Sequence, residues 1–203
     1  MDQAADIRAF FFKPPPESNF LGHQFAEIYK ERIYASYLEG RHDLTILDIG
    51  ANIGLTAYYF SRFAKQVYAL EPAAEHFALL SKMVEFNGLS NVKPIKMAIY
   101  IENKNFPLFH NPNKTMYSLH AAVSDGGPTE QVECIALDAL FKQENIGHVD
   151  FMKLDIEGSE VEVLSGTGFR KVAESIDLII VEAHGWSGRH PNQFKDALKA
   201  NGF

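Results

Sequence analysis

The 203 residues, 46% of them hydrophobic and 22% charged, suffice for a single domain with a full core. A formal net charge of −7 argues against a nucleic-acid binder, which needs a basic face to replace released counterions, although a local basic patch stays open. No run approaches the roughly 18 apolar residues of a membrane span, and Asp2 and Asp6 ahead of Phe10–Phe12 are unlike a signal peptide, so a cytoplasmic protein with no membrane or nucleic-acid partner is expected.

In chain order, residues 1–12 are ambiguous and Pro14–Pro16 is a rigid extended break. Residues 20–38 read as one amphipathic helix, with Phe25, Ile28, Ile33 and Tyr37 inward, lidding whatever site follows; residues 1–40 form an extension to a core at 41–203. Strands are expected at 44–49, 66–70, 92–98, 149–154 and 177–181. A helix at 74–86 places Phe77, Ala78, Leu79, Leu80 and Val84 as core candidates and ends at Asn87-Gly88; further helices start at Ser159 and at Pro191. This alternation is that of an α/β protein with a mostly parallel sheet and helices on both faces. Between about 103 and 130 the pattern weakens into Asn, Pro and Gly, with strand-like runs at 106–109 and 116–119, and reads as an insertion over the pocket. A strand at 131–137 follows, then a short helix capped by Asp138. Cys134, the sole cysteine, precludes an intrachain disulfide and reads as a small core residue.

The glycines of Leu47-Asp-Ile-Gly-Ala-Asn-Ile-Gly54 fall at the turn between the first strand and a buried-type helix, residues 55–64. Gly50 and Gly54 remove side chains where backbone turns sharply or nears a ligand, and the helix directs free N–H groups toward it. The residue two after Gly50 is Asn52, so the dinucleotide fingerprint of a dehydrogenase is absent; Gly54-Leu-Thr lacks the lysine of a phosphate-binding loop. Asp48 puts a carboxylate at the strand end, which repels phosphate and attracts a cation. A nucleoside cofactor with an ammonium, a sulfonium and no phosphate, S-adenosylmethionine, fits these features. Glu71, seventeen positions past Gly54 at the tip of the second strand, is placed to accept hydrogen bonds from ribose hydroxyls.

Asp48–Gly54, Glu71-Pro72, the block Val149-Asp-Phe-Met-Lys-Leu-Asp-Ile-Glu-Gly-Ser-Glu160 with Val163–Gly166, and Ile179-Ile-Val-Glu-Ala-His184 together resemble the FkbM family of S-adenosylmethionine-dependent methyltransferases. The similarity spans about residues 45–185 and implies a Rossmann-like class I methyltransferase fold that O-methylates a sugar or another small scaffold. It implies cofactor contacts from Asp48, Gly50, Ala51, Asn52, Gly54, Glu71, Pro72 and Asp155, with backbone at Met97 and Ala98 near the adenine. The seven-stranded sheet of such enzymes runs 3-2-1-4-5-7-6, and no sequence after Phe203 supplies the last two strands. The fifth strand is then an edge that invites pairing. Residues 7–12, a second subunit forming a homodimer, or chain continuing past Phe203 are the three ways to cover it.

Catalytic candidates cluster where an open α/β sheet presents its ligands, at the carboxyl ends of the fourth and fifth strands. Asp155 lies at the fourth strand's end, where it suits cofactor or acceptor positioning; Glu157 precedes Gly158, pointing either into the pocket or toward the next helix's N-terminus. Glu160 reads as a surface cap of that helix. His184 has the pKa of a general base, or is a hydrogen-bonded supporting residue, and Glu182 would orient it or bind an acceptor hydroxyl. This set could also hold a divalent cation, but its spacing is no fixed ligand motif, so no metal is expected. Lys153 reads as a paired lysine at the sheet's end; His110 and His120, in the insertion, are the other acceptor-facing candidates. Methylation of nitrogen or carbon, or a cofactor-binding module without catalysis, are the rival readings.

Overall fold

The computed structural model describes residues 19–110, 117–121, 130–184 and 190–203. Its strands are β1 (Leu44–Ile49), β2 (Ala64–Leu70), β3 (Val92–Ile95), β4 (Ala98–Ile99), β5 (Lys104–His110), β6 (Tyr117–Ser118), β7 (Glu130–Ile135), β8 (Phe151–Leu154) and β9 (Ile179–Val181). Its helices are α1 (Asn19–Phe25, continued by a π-helical turn, Ala26–Lys30), α2 (Ala35–Leu38), α3 (Leu55–Phe60), α4 (Ala74–Phe86), α5 (Leu137–Gln143), α6 (Glu160–Ser165), α7 (Thr167–Val172) and α8 (Pro191–Lys199).

All six residues of β1 are buried, as a strand covered on both faces requires. It is the middle of a five-stranded sheet ordered β3-β2-β1-β8-β9 in which every neighbouring pair is parallel. Strand alternation sends Leu44 and Ile46 into one core with Tyr34, Leu38, Phe60, Leu80, Met83 and Phe151, and Leu47 and Ile49 into another with Leu140, Met152, Leu154, Leu164 and Phe169. The first core is largely aromatic: Tyr34 meets Phe60 edge-on at 5.1 Å, and Phe60 meets Phe151 at 5.4 Å. Parallel pairing brings every carboxyl end to one edge, and there the backbone joins across strands: Gly50 and Ala51 donate to Leu70, Asp155 donates to Ile49, and Glu182 donates to Leu154.

A second sheet, ordered β4-β7-β5-β6, is built from the insertion. Ala98 pairs with Cys134, while β5 runs antiparallel to β7 and to β6. Leu108, Val132, Cys134, Ala98 and Ala73 form its core. Cys134 is buried there, and burial pushes its thiol up to about 11, which makes it an inert packing residue.

Several expectations are revised. The helix over 20–38 is broken: Arg32 takes a left-handed conformation (φ 57°) after the π turn. The break shifts the buried register, so Tyr34 and Leu38 are inward with Phe25 and Ile28, while Ile33 and Tyr37 are exposed. The strand over 92–98 is split, its last residue joining the second sheet as β4. Leu79 is exposed on α4, and Met83 fills the core instead. Asp138 does not cap α5; the cap position is Ala136, and Asp138 pairs with Lys171 at 2.6 Å. β9 ends the five-stranded sheet among the described residues; the suggested pairing of residues 7–12 lies outside them. No helix of the described residues is long and apolar enough to cross a membrane.

Candidate active site

The turn after β1 is fixed by close backbone approach. Gly50 has φ 80°, and a Cβ on it would lie 1.7 Å from the carbonyl oxygen of Asp155. Asn52, also left-handed (φ 51°), donates its backbone N–H to Glu71 Oε2 at 2.9 Å. Gly54 serves packing instead, because its Cβ would strike Met83 and Leu80; it lets α3 pack on α4 and lines neither cavity of the site.

Asp48 also lines neither cavity. It is fully buried beneath the turn, accepts from Thr56 Oγ1 at 2.7 Å and lies 3.7 Å from Lys153 Nζ. The expected attraction of a cationic ligand is therefore corrected: the cation Asp48 meets is the protein's own lysine. Lys153 Nζ also donates to the Gly50 carbonyl at 2.9 Å and lies 2.9 Å from Asp155 Oδ2. Burial alone would drive this ammonium down, but Asp155 and Asp48 outweigh it and hold it above the usual lysine range.

Two clefts open at the carboxyl edge. One, of about 660 Å³, is bounded below by Gly50, Glu71, Pro72, Met97 and Ala98 and walled by His76, Leu108, Tyr117, Ser118, Leu119, Glu157 and Ser159. The other, of about 1040 Å³, lies between Gly50, Ala51, Asp155 and Glu182 on the sheet side and Glu27, Ile28, Tyr34 and Tyr37 on the helical side. Gln24, Gly50, Asn52 and Asp155 line both, so the clefts meet at the turn and at Asp155. Glu71 is nearly enclosed and accepts from Ala73 N–H as well as Asn52; burial, partly offset by those two bonds, pushes its carboxyl up to about 7.

Beside the junction four carboxylates surround one imidazole. His184 Nδ1 lies 2.9 Å from Glu160 Oε1, and its Nε2 lies 3.1 Å from Glu157, 3.8 Å from Asp155 and 3.8 Å from Glu182. Glu160 is not a surface cap but fully buried, accepting from the N–H groups of Ile156 and Gly158. Burial lowers the His184 pKa, but the Glu160 hydrogen bond and the charges of Glu157, Glu160 and Asp155 prevail and raise it to about 9. Near neutral pH it is thus an imidazolium that donates, and a proton acceptor must be sought elsewhere. Glu157, at φ 55°, has its carboxyl pushed up to about 7 by burial, against the pull of His184. His110 and His120 line neither cleft; His110 packs on Tyr117.

Residues 48–202 match the sequence model of the methyltransferase FkbM domain. The chain belongs to the FkbM methyltransferase family. The methyltransferase sdnD of Sordaria araneosa is 28% identical, over 78% of this chain and 73% of its own length. The hexuronic acid methyltransferase AglP of Haloferax volcanii is 27% identical over 72% of this chain, which spans 58% of that enzyme. Among solved structures, an FkbM methyltransferase of Methylobacillus flagellatus superposes with a TM-score of 0.53 at 16% identity, covering 75% of this chain and 36% of its own. Precorrin 8w decarboxylase of Methanobacterium thermoautotrophicum gives 0.52 at 17% identity, over 94% and 75%. These likenesses establish the Rossmann-like α/β fold of class I methyltransferases.

The FkbM domain's site also contains residues that the sequence did not single out. His76, Tyr117, Ser118, Leu119 and Ser159 line the smaller cleft, and Gln24, Glu27, Tyr34 and Tyr37 line the larger. Tyr34 was detectable in principle, being one residue from Ile33 in the expected apolar stripe. No local signal marks Ser118, whose hydroxyl donates to the Glu157 carbonyl at 2.5 Å across 39 residues.

Proposed function

We propose that this domain transfers a methyl group from S-adenosylmethionine to a hydroxyl oxygen of a small molecule, such as a sugar or glycosylated metabolite. The observation that carries this is the meeting of two clefts at Gly50, Asn52 and Asp155. The smaller takes the adenosine: Glu71, each oxygen of which already holds one backbone N–H, has lone pairs left for the ribose hydroxyls. Pro72, Met97 and Ala98 border the adenine, under Tyr117 and Leu119. The sulfonium then lies at the junction beside Asp155, whose negative charge favours it. The methyl faces the larger cleft, where Tyr34 and Tyr37 offer aromatic faces and Glu27 and Glu182 offer acceptors to a polyhydroxylated ring. The name of the AglP relative supports an acceptor of the sugar class.

In the reaction an acceptor oxygen lone pair forms the O–C bond as the C–S bond breaks in line, the bonding pair stays on sulfur, and the hydroxyl proton passes to a carboxylate, Asp155 or Glu182. Positioning supplies most of the rate, and His184 orients the carboxylates around it. The test is calorimetric titration with S-adenosylhomocysteine, with NADH and ATP as controls, followed by transfer of labelled methyl to a panel of neutral and acidic sugars. Binding of the first alone, with oxygen-linked label lost in Glu182→Gln while affinity is kept, is the expected result. Label on nitrogen or carbon would replace the oxygen assignment, and binding without turnover on any acceptor would favour a binding module.

A further inference from the structure

We propose that Asp155, Glu157 and His184 form a divalent-cation site, with Glu160 holding the imidazole from behind. Ligand atoms of the three lie within 4.8 Å of one another. Nε2 is 3.1 Å from Glu157 Oε2 and 3.8 Å from Asp155 Oδ1, separations close to those between neighbouring ligands around an ion at about 2.1 Å.

Glu160 decides which nitrogen is available. Its buried carboxylate accepts two backbone N–H groups and cannot donate in that state, so the hydrogen on the 2.9 Å contact sits on Nδ1. Nε2 is thereby aimed at Glu157, Asp155 and Glu182. A carboxylate behind one imidazole nitrogen and oxygen ligands before the other is the usual second-sphere arrangement of a metal-binding histidine. A separate observation points to a ligand at the same wall. Ser159, next to Gly158 and 1% exposed, faces the smaller cleft with its Oγ lacking a hydrogen-bond partner among the described residues. Glu157 Oε2 is likewise sealed from solvent and accepts no hydrogen bond there. One nitrogen and hard oxygens suit Mn²⁺ or Mg²⁺ better than a thiophilic ion.

The ion's place in catalysis rests on the methyl-transfer reading: bound beside Asp155, it would hold the acceptor oxygen and lower its pKa. Its binding does not rest on that reading. The experiment is titration of the full chain with MnCl₂ by electron paramagnetic resonance, with and without S-adenosylhomocysteine. The expected result is one tight Mn²⁺ per chain with nitrogen coupling in the echo modulation. Glu157→Gln and His184→Gln should weaken it at least about tenfold, as should Glu160→Gln through loss of the imidazole's support. Asp177→Asn, in a separate exposed cluster with His148 and Asp150, should leave it unchanged. No stoichiometric Mn²⁺, or binding lost in Asp177→Asn and kept in Glu157→Gln, overturns the site. S-adenosylhomocysteine binding without Mn²⁺ binding would overturn the site alone, and Mn²⁺ binding without S-adenosylhomocysteine binding would overturn the methyl-transfer reading alone.

Discussion

Lys153, from the interior of β8, donates through Nζ to the carbonyl of Gly50 at 2.9 Å while lying 2.9 Å from the carboxylate of Asp155. One buried cation thus ties the cofactor turn to the residue at which the two clefts join, with Asp48 beneath as a second anion at 3.7 Å. The Lys-Leu-Asp order places this cation two residues before the carboxylate it holds, on the same strand face.

Replacing Lys153 by Met should therefore cost stability and ligand affinity together. Removing one partner of a buried ion pair typically costs about 3–5 kcal/mol, because the remaining charge is left uncompensated. Denaturant unfolding of Lys153→Met should show a loss of that order. Adding Asp48→Asn should recover part of it, since one of the two stranded anions is then neutral. Simple additivity of the two losses would show that Asp48 and Lys153 are not coupled.

The two glycines should separate by function. A methyl at Gly50 meets backbone, the Asp155 carbonyl, which cannot move without shifting the end of β8. Gly50→Ala should abolish S-adenosylhomocysteine binding. At Gly54 the obstacles are the side-chain ends of Met83 and Leu80, and φ is 99°. Gly54→Ala should destabilise the fold by about 1–3 kcal/mol from the strained backbone, and leave affinity near the wild-type value in the folded fraction. Equal affinities for the two variants would contradict this division.

Where the chain's signals are local, the sequence was legible. The six residues of β1 form an unbroken apolar run around one aspartate, and α4 ends at Asn87-Gly88, so both elements have the bounds expected of them. The edge carrying Glu71, Asp155, Glu157, Glu182 and His184 followed from strand order alone. What was not legible depends on partners distant in sequence. Glu160 reads as a helix-start carboxylate until His184, 24 residues on, is seen against it. The second sheet needs Ala98 beside Cys134, a pairing no local pattern encodes. Asp48 sits at a strand end, as expected, but its direction is set by Thr56 and Lys153. The break at Arg32 carries neither Gly nor Pro to announce it.

The second sheet should contribute to adenosine binding through Tyr117. Its ring meets His76 edge-on at 4.6 Å, and both line the smaller cleft. Burial pushes its hydroxyl up to about 12, so the ring stays neutral at working pH. Tyr117→Ala should weaken S-adenosylhomocysteine by at least about 1 kcal/mol from the lost aromatic contacts, whereas Tyr117→Phe should bind as wild type. If the phenylalanine variant were as weak as the alanine one, the hydroxyl rather than the ring would be the contact.

Glu71 should make cofactor affinity pH-dependent, with a sign fixed by burial. Its folded pKa of about 7 lies above the ordinary 4.5, so the folded chain holds a proton that the unfolded chain releases. Its contribution to stability is therefore greatest in acid and falls as pH rises from 4.5 through 7. Above that window it is lower by about 3 kcal/mol, at about 1.4 kcal/mol per unit. Glu71→Gln removes that slope, although Glu157 and His184 still titrate; the difference between variant and wild type isolates Glu71. Ribose hydroxyls donate to the ionised carboxylate, so the bound state favours release of the same proton. Affinity for S-adenosylhomocysteine should rise through neutral pH, and about half a proton should be released per ligand bound near pH 7. Calorimetry in buffers of different ionisation enthalpy measures that release directly. A flat affinity across neutral pH, with no proton released, would mean that Glu71 stays protonated under the ribose or does not touch it.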